Sequence, residues 1–178
     1  MAILLVRAIT VIAIIAAVAV GSTATLYFYP FIVNGRGEQQ QDAIIGGATT
    51  SSNGYRQVSV TVNGVELVAD VAANNTQRTK GLAVKDHLNE NESMLFVFSS
   101  AANQAFWMKD MKFPIDIIWM DVNKTVIHIE HSLEPCSTIG YCQTYNPGAD
   151  SLYVLETVAG FADRHGVTEG TKMQFDLS

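Results

Sequence analysis

Val58-Ser59-Val60-Thr61-Val62-Asn63-Gly64-Val65-Glu66-Leu67-Val68-Ala69-Asp70-Val71 is the stretch from which the fold is read. Val58, Val60 and Val62 alternate with Ser59 and Thr61, the period of two that sends successive side chains to opposite faces of a strand. Asn63-Gly64 then separates two β-branched runs. Both central residues of a tight hairpin turn need positive φ, which Asn and Gly tolerate and Val does not. The stretch predicts an antiparallel hairpin.

Downstream, Ser93–Phe98, Ala105–Lys109, Ile115–Met120, Thr125–His131, Leu152–Glu156 and the alternating Met173, Phe175 and Leu177 read as further short strands, with a turn over Asp121–Lys124. Thr76–Leu82, capped by Asn75 or Thr76, predicts a short helix, and Phe161–His165 a helical turn ended by Gly166. The expected fold over residues 56–178 is mainly β, a small antiparallel β-sandwich or barrel with one or two short helices.

Upstream, residues 34–55 are rich in Gly, Ser, Thr, Gln and Asn and predict a flexible linker. Before them, Ala8–Val33 carries no charge, and about 20 apolar residues cross a bilayer core as a helix. Tyr27, Phe28, Tyr29 and Phe31 cluster at its far end, where aromatic rings favour the interface. Arg7 precedes the run, so residues 1–33 predict a signal anchor that meets membrane lipid through residues 8–33. The N-terminus is then cytoplasmic and the domain extracytoplasmic. Ser22-Thr23-Ala24 keeps a cleavable signal peptide as the competing reading, against which the apolar run continues well past that site.

All 17 carboxylates and ten of the eleven Lys and Arg follow Phe31. Ten positive against 17 negative charges leave a formal charge of about −7, which argues against nucleic acid as a partner. Cys136 and Cys142, the two cysteines, predict a disulfide in an oxidising compartment; a zinc site needs a second ligand pair that is absent. Asn74, Asn91 and Asn123 head Asn-x-Ser/Thr triplets and are glycosylation candidates.

The segment from Phe106 to Asp116 is aromatic and sulfur-rich. It predicts a packed seam more than a thioether copper site on Met108, Met111 and Met120, and Trp107 and Phe106 are expected to be structural before they are functional. His128 and Glu130 share a strand face from which His131 turns away, which splits the apparent metal pair. Asp110, Asp116 and Asp121 could supply paired carboxylates, but no nucleophile stands at a recognisable spacing from a base. The reading leans against an enzyme, and no cofactor or metal is expected. Asp116 reads either as a loop brace or as the polar floor of a pocket beside Trp107.

From about Val65 to Leu177 the chain resembles the domain of unknown function 192 family. The resemblance rests on Gln77-Arg78-Thr79-Lys80-Gly81-Leu82, Ser93-Met94-Leu95-Phe96-Val97-Phe98, Phe106-Trp107-Met108-Lys109, Pro114-Ile115-Asp116-Ile117, Pro135-Cys136, Tyr145 with Pro147-Gly148, Tyr153-Val154-Leu155-Glu156 and Gly160-Phe161. Asp110 stands where the family commonly has Asn. The resemblance implies a small exported or anchored β domain and no particular reaction. The expected function is a membrane-anchored accessory module, a subunit of a membrane complex with a membrane-protein partner. The alternative is a small-molecule or carbohydrate binding module, or further behind it a hydrolase or metal-binding domain, that uses the Trp107/Asp116 region. A ligand or partner site would draw on Trp107, Lys109, Asp110, Asp116, Trp119 and Tyr145.

Overall fold

A computed structural model describes residues 49–136 and 140–178. The expected anchor and most of the expected linker (1–48) lie outside the described residues. Among the described residues no helix is long and apolar enough to cross a membrane. The strands are β1 (Thr49–Thr50), β2 (Arg56–Val62), β3 (Val65–Ala72), β4 (Glu92–Ala102), β5 (Phe106–Trp107), β6 (Ile115–Met120), β7 (Val126–Leu133), β8 (Thr144–Tyr145), β9 (Ser151–Val158) and β10 (Met173–Phe175). The helices are α1 (Asn75–Lys80), followed by a 3-10 turn over Gly81–Val84, and α2 (Phe161–Arg164).

β2 and β3 form the expected hairpin, with Val62 opposite Val65 and both turn residues at positive φ, Asn63 at 47° and Gly64 at 80°. The expected linker ran to Tyr55, but the fold begins earlier. β1 pairs with the start of β2, and Tyr55 is buried in the core. Helix α1 starts at Asn75, and its cap is Asn74, one residue before the first of the expected caps. Asn74 accepts from the Gln77 amide at 2.9 Å while Gln77 accepts from the Asn74 amide, a reciprocal capping box.

That helix corrects the expectation of a purely antiparallel domain. β3 and β4 run parallel, and α1 with the 3-10 turn is the crossover that parallel neighbours require. The main sheet is eight-stranded, in the order β1-β2-β3-β4-β9-β6-β7, with β10 on β2; β5 and β8 form a separate pair. The sheet curls but stays open. The gap between β7 and β10 is crossed by a Thr125–Lys172 bridge, flanking backbone bonds such as Val126 N–H to Thr171 O at 2.9 Å, and side-chain bonds from Lys124 to Phe175 O and from Lys172 to Asn123 O.

Both faces of the sheet are buried around β4, β9 and β6, while the outer face of the β2–β3 hairpin is exposed at Ser59, Glu66 and Val68. The inner face packs Val60, Leu67, Leu95, Ile118, Leu155 and Phe161. The outer face packs Leu82, Phe96, Ile117, Trp119 and Val154, and is covered by the α1 crossover and the β5–β8 pair. This explains why β6 reads Ile-Asp-Ile-Ile-Trp-Met with no wet face: all six residues are buried.

Asp116 is the polar exception in that strand, and three main-chain amides meet it. Oδ1 accepts from Ser132 N–H at 2.8 Å and Gly160 N–H at 2.9 Å, and Oδ2 from Ala162 N–H at 2.8 Å. Ser132 (φ 48°) and Gly160 (φ 76°) are both left-handed. The carboxylate therefore ties a bulge in β7 and the entry to α2 onto β6.

Candidate functional site

The α1 crossover does not lie flat on the outer face. Between its C-terminal end and the β5 loop it leaves a pocket of about 260 Å³. Gly81 makes the close approach possible. It sits at φ 50°, a conformation L side chains rarely adopt, and a Cβ there would lie 3.4 Å from the Phe96 ring and 3.9 Å from Glu156 Oε2. Arg78 locks the helix beside it. The guanidinium donates to the Ala73 carbonyl at 2.7 Å and the Val97 carbonyl at 2.9 Å, and lies 5.2 Å from the Phe98 ring centre. The Arg-x-x-Gly-Leu series is thus architectural: Arg78 fastens, Gly81 permits the approach and Leu82 fills the core.

Glu156 lies in the wall of this pocket. Strand alternation places it on the outer face with Val154, among Phe96, Met94 and Leu82. It is 4% exposed, and Oε2 has no hydrogen-bond partner among the described residues. Burial pushes its carboxyl up to about 8, against which a bond from the Leu82 backbone N–H pulls only weakly. Near neutral pH Glu156 is a carboxylic acid, able to donate as well as accept. The contrast is Asp70, equally buried, whose oxygens have Gln57 Nε2 at 2.9 Å and Lys85 Nζ at 3.1 Å. The second contact is an off-axis ion pair rather than a directed hydrogen bond, yet it still compensates the charge.

Two lysines line the pocket. Lys109 Nζ lies 5.6 Å from the Trp107 ring centre, and Lys80 is exposed at the helix end. Among the described residues neither has a carboxylate within 4.0 Å. Trp107 itself is 53% exposed and borders both this pocket and an adjoining groove that reaches Val84 and Asp110.

The sequence-level candidates are therefore split. Trp107 and Lys109 line the pocket, and Asp110 borders the groove. Asp110 adopts φ 61°, the left-handed conformation that Asn and Asp tolerate best, which accounts for Asn being common there. Trp119 is fully buried behind the site, with its indole N–H donating to Gln104 O at 2.8 Å. Tyr145 pairs with Phe106 and packs on the outer core, and Asp116 is outside the pocket, held by its amides. Met108 and Met120 lie in different core clusters on opposite sheet faces, so the thioethers do not converge. His128 sits between Glu130 (3.3 Å) and Glu169 (3.5 Å), while His131 faces Asp163 at 3.2 Å. Asn74, Asn91 and Asn123 are all exposed, in loops or turns.

The expectation that Trp107 is a structural residue is corrected; Phe106 and Trp119 take that role, their rings edge-to-face at 5.9 Å. Trp119→Ala is expected to lower stability by about 3–5 kcal/mol, the cost of emptying a large buried site. Trp107→Ala should cost under about 1 kcal/mol, as for an exposed residue. Urea unfolding of both variants checks the pair, and equal losses would restore the structural reading of Trp107.

Cys136 and Cys142 are disulfide-bonded. The bridge buttresses the pocket rim. The Cys136 amide donates to Met108 O at 3.1 Å, and beyond Cys142 the β8 strand pairs with Phe106 and Trp107. Glu156 was missed as a site residue because it closes an apolar strand and reads there as one more family position. The available signal was its parity with Val154, which puts a carboxylate on a core face.

A family model, DUF192, described as "Uncharacterized ACR", matches residues 58–175. The chain belongs to the DUF192 family. The match spans the hairpin, the crossover, the pocket and β10, so the pocket is built wholly from DUF192 sequence. No curated protein matches. Two crystal structures share the fold. One, a Sinorhizobium meliloti 1021 protein provisionally named a transcription regulator, is 26% identical. It has a TM-score of 0.62 and matches over 68% of this chain and 95% of its own. The other, a Novosphingobium aromaticivorans protein of unknown function, is also 26% identical. Its TM-score is 0.63, over 75% of this chain and 94% of its own.

Proposed function

We propose that this DUF192 protein is a membrane-anchored, extracytoplasmic accessory module that binds a small molecule or a single saccharide unit in the Trp107 pocket and does not transform it. The observation that carries this reading is the pairing of an exposed, stackable Trp107 with Glu156, a buried acid whose Oε2 has no partner among the described residues, in one concave site. Convergent polar groups in an aromatic-lined recess are the usual makings of a ligand site. Among the described residues the pocket wall offers one hydroxyl, that of Thr79, and no histidine to activate it, which favours binding over turnover. A membrane-protein partner is the second reading. It is favoured by Trp107 and Val84, exposed at 53% and 37% along the adjoining groove. Transcription regulation is not extended to this chain, because its acidic charge disfavours duplex binding.

One experiment addresses binding and location together. Right-side-out vesicles carrying the full chain are titrated with monosaccharides and small aromatic acids while tryptophan fluorescence is followed, then treated with protease. Saturable quenching that Trp107→Phe abolishes, together with digestion of the domain without detergent, is the expected result. Quenching unaffected by Trp107→Phe rejects the site, and a protected domain rejects the orientation.

A further inference from the structure

We infer that the ligand of the Trp107 pocket is a small organic acid bound as its carboxylate, which receives a hydrogen bond from the Glu156 carboxyl and the positive charge of Lys80 and Lys109. This inference deepens the binding reading above and depends on it.

Three observations converge on that chemistry. First, Glu156 Oε2 is buried in the pocket wall with no partner among the described residues, while the Leu82 amide engages the same carboxyl. A polar atom desolvated without a partner is costly, and a ligand that supplies one recovers that cost. Second, the charged groups facing the pocket are all cationic apart from Glu156 itself. Arg78 and Lys80 come from α1 and Lys109 from the β5 loop. Arg78 is spent on two backbone carbonyls, which leaves the two lysines. The neighbouring strands present Met94 and Ile117 beside Glu156 and add no charge. Third, Phe98, Phe106 and Met111 supply an apolar wall and Trp107 a ring face at the mouth. The recess therefore offers a buried acid and two lysines in one lining, and room for a flat apolar body.

A carboxylate matches this set where its neutral analogues do not. It accepts from a carboxylic acid and from ammonium groups at once, and charge-assisted bonds of this kind are about twice as strong as neutral ones. A ligand cation would face Lys80 and Lys109 across the mouth. A neutral sugar would leave both lysines unpaired, although it could still stack on Trp107. The geometry also carries a pH dependence. Once Glu156 ionises, its oxygens become acceptors facing a second carboxylate, and the site closes to anions.

The test uses benzoate and benzamide, nearly identical in shape and different in charge, titrated calorimetrically into the detergent-solubilised full chain at pH 6.5 and 9.5. At pH 6.5 benzoate is expected to bind at least about tenfold more tightly than benzamide, roughly the value of one charge-assisted contact. Above about pH 8 its affinity should fall by about tenfold per pH unit, the linkage of a ligand that needs the protonated acid. Glu156→Gln keeps a donor and cannot ionise, so it should bind benzoate equally at both pH values. Lys109→Met should weaken benzoate and leave benzamide unchanged. Equal binding of the two probes overturns the carboxylate while leaving the pocket as a binding site. So does binding of a methyl glycoside in place of benzoate. A Glu156→Gln protein that still loses benzoate above pH 8 overturns the role of Glu156. Failure of every probe in the wild type and both variants overturns the pocket reading as well.

Discussion

Asp116→Asn is expected to lower the stability of the domain by roughly 2–4 kcal/mol, and Asp116→Ala by more, roughly 3–5 kcal/mol. The carboxylate is fully buried and accepts from Ser132, Gly160 and Ala162. Asparagine preserves the shape and one oxygen, enough for the two amides that share Oδ1. Its NH2 then faces the Ala162 N–H, donor against donor, inside the core. Alanine abandons all three amides, each of which costs about 1–3 kcal/mol when buried without a partner. Two of the tethered residues hold left-handed backbones, Ser132 and Gly160, so the loss should reach beyond the substituted side chain to the β7 bulge and the start of α2. Thermal unfolding followed by far-UV circular dichroism measures the effect, and hydrogen exchange at Ser132 and Ala162 localises it. Pocket binding should survive in whatever fraction remains folded, because Asp116 does not line the pocket. An unchanged melting temperature would sink the brace, and lost binding with intact folding would return Asp116 to the site.

The second large effect has the opposite sign. Glu156→Gln is expected to stabilise the protein at alkaline pH and to flatten its stability profile. In the native protein the Glu156 carboxyl is raised from 4.5 to about 8. Between those values the unfolded chain has released the proton and the folded chain retains it, so the unfolded state binds fewer protons. Stability therefore falls as pH rises through that window. The slope from this one group is about 1.4 kcal/mol per pH unit, or roughly 4–5 kcal/mol across the window. Glutamine removes the slope, although its own amide is imperfectly satisfied at Oε2's position and shifts the whole curve by an amount that is not pH-dependent. The measurement is urea unfolding of wild type and variant from pH 5 to 9. Parallel profiles would mean that Glu156 is ionised in the native state, and the anion pocket would lose its donor with it.

The two acids show where reading the chain succeeds and where it stops. Asp116 was visible as an anomaly, a carboxylate among isoleucines, and its two possible roles could be framed from strand parity alone. Which role it plays depends on Ser132 and Gly160, 16 and 44 residues away in sequence. Glu156 is legible in the sequence only as the last residue of an apolar strand and one more family position. It is buried only because α1 and the 3-10 turn are laid over it. The tryptophans were exchanged for a related reason. Trp107 and Trp119 stand in similar apolar surroundings, and the β5–β8 pair decides that one ring faces out while the other faces in.

By itself, the sequence determined the β2–β3 hairpin, the positions of every strand except β1 and β8, the left-handed turn after α2 and membership of the family. Each is written in neighbouring residues: Asn63-Gly64 in the turn, alternation in the strands, Gly166 at φ 61° after α2. Tertiary structure alone decided that β3 and β4 run parallel, that the sheet stays open, and that a pocket exists. These depend on which distant segments meet. Alternation specifies which face of a strand is apolar, not what covers it, and a crossover of the same length can lie flat or leave a cavity. Here Gly81 lets the turn approach Phe96 and Glu156 while Arg78 fixes its angle, and the space left under Trp107 is the result.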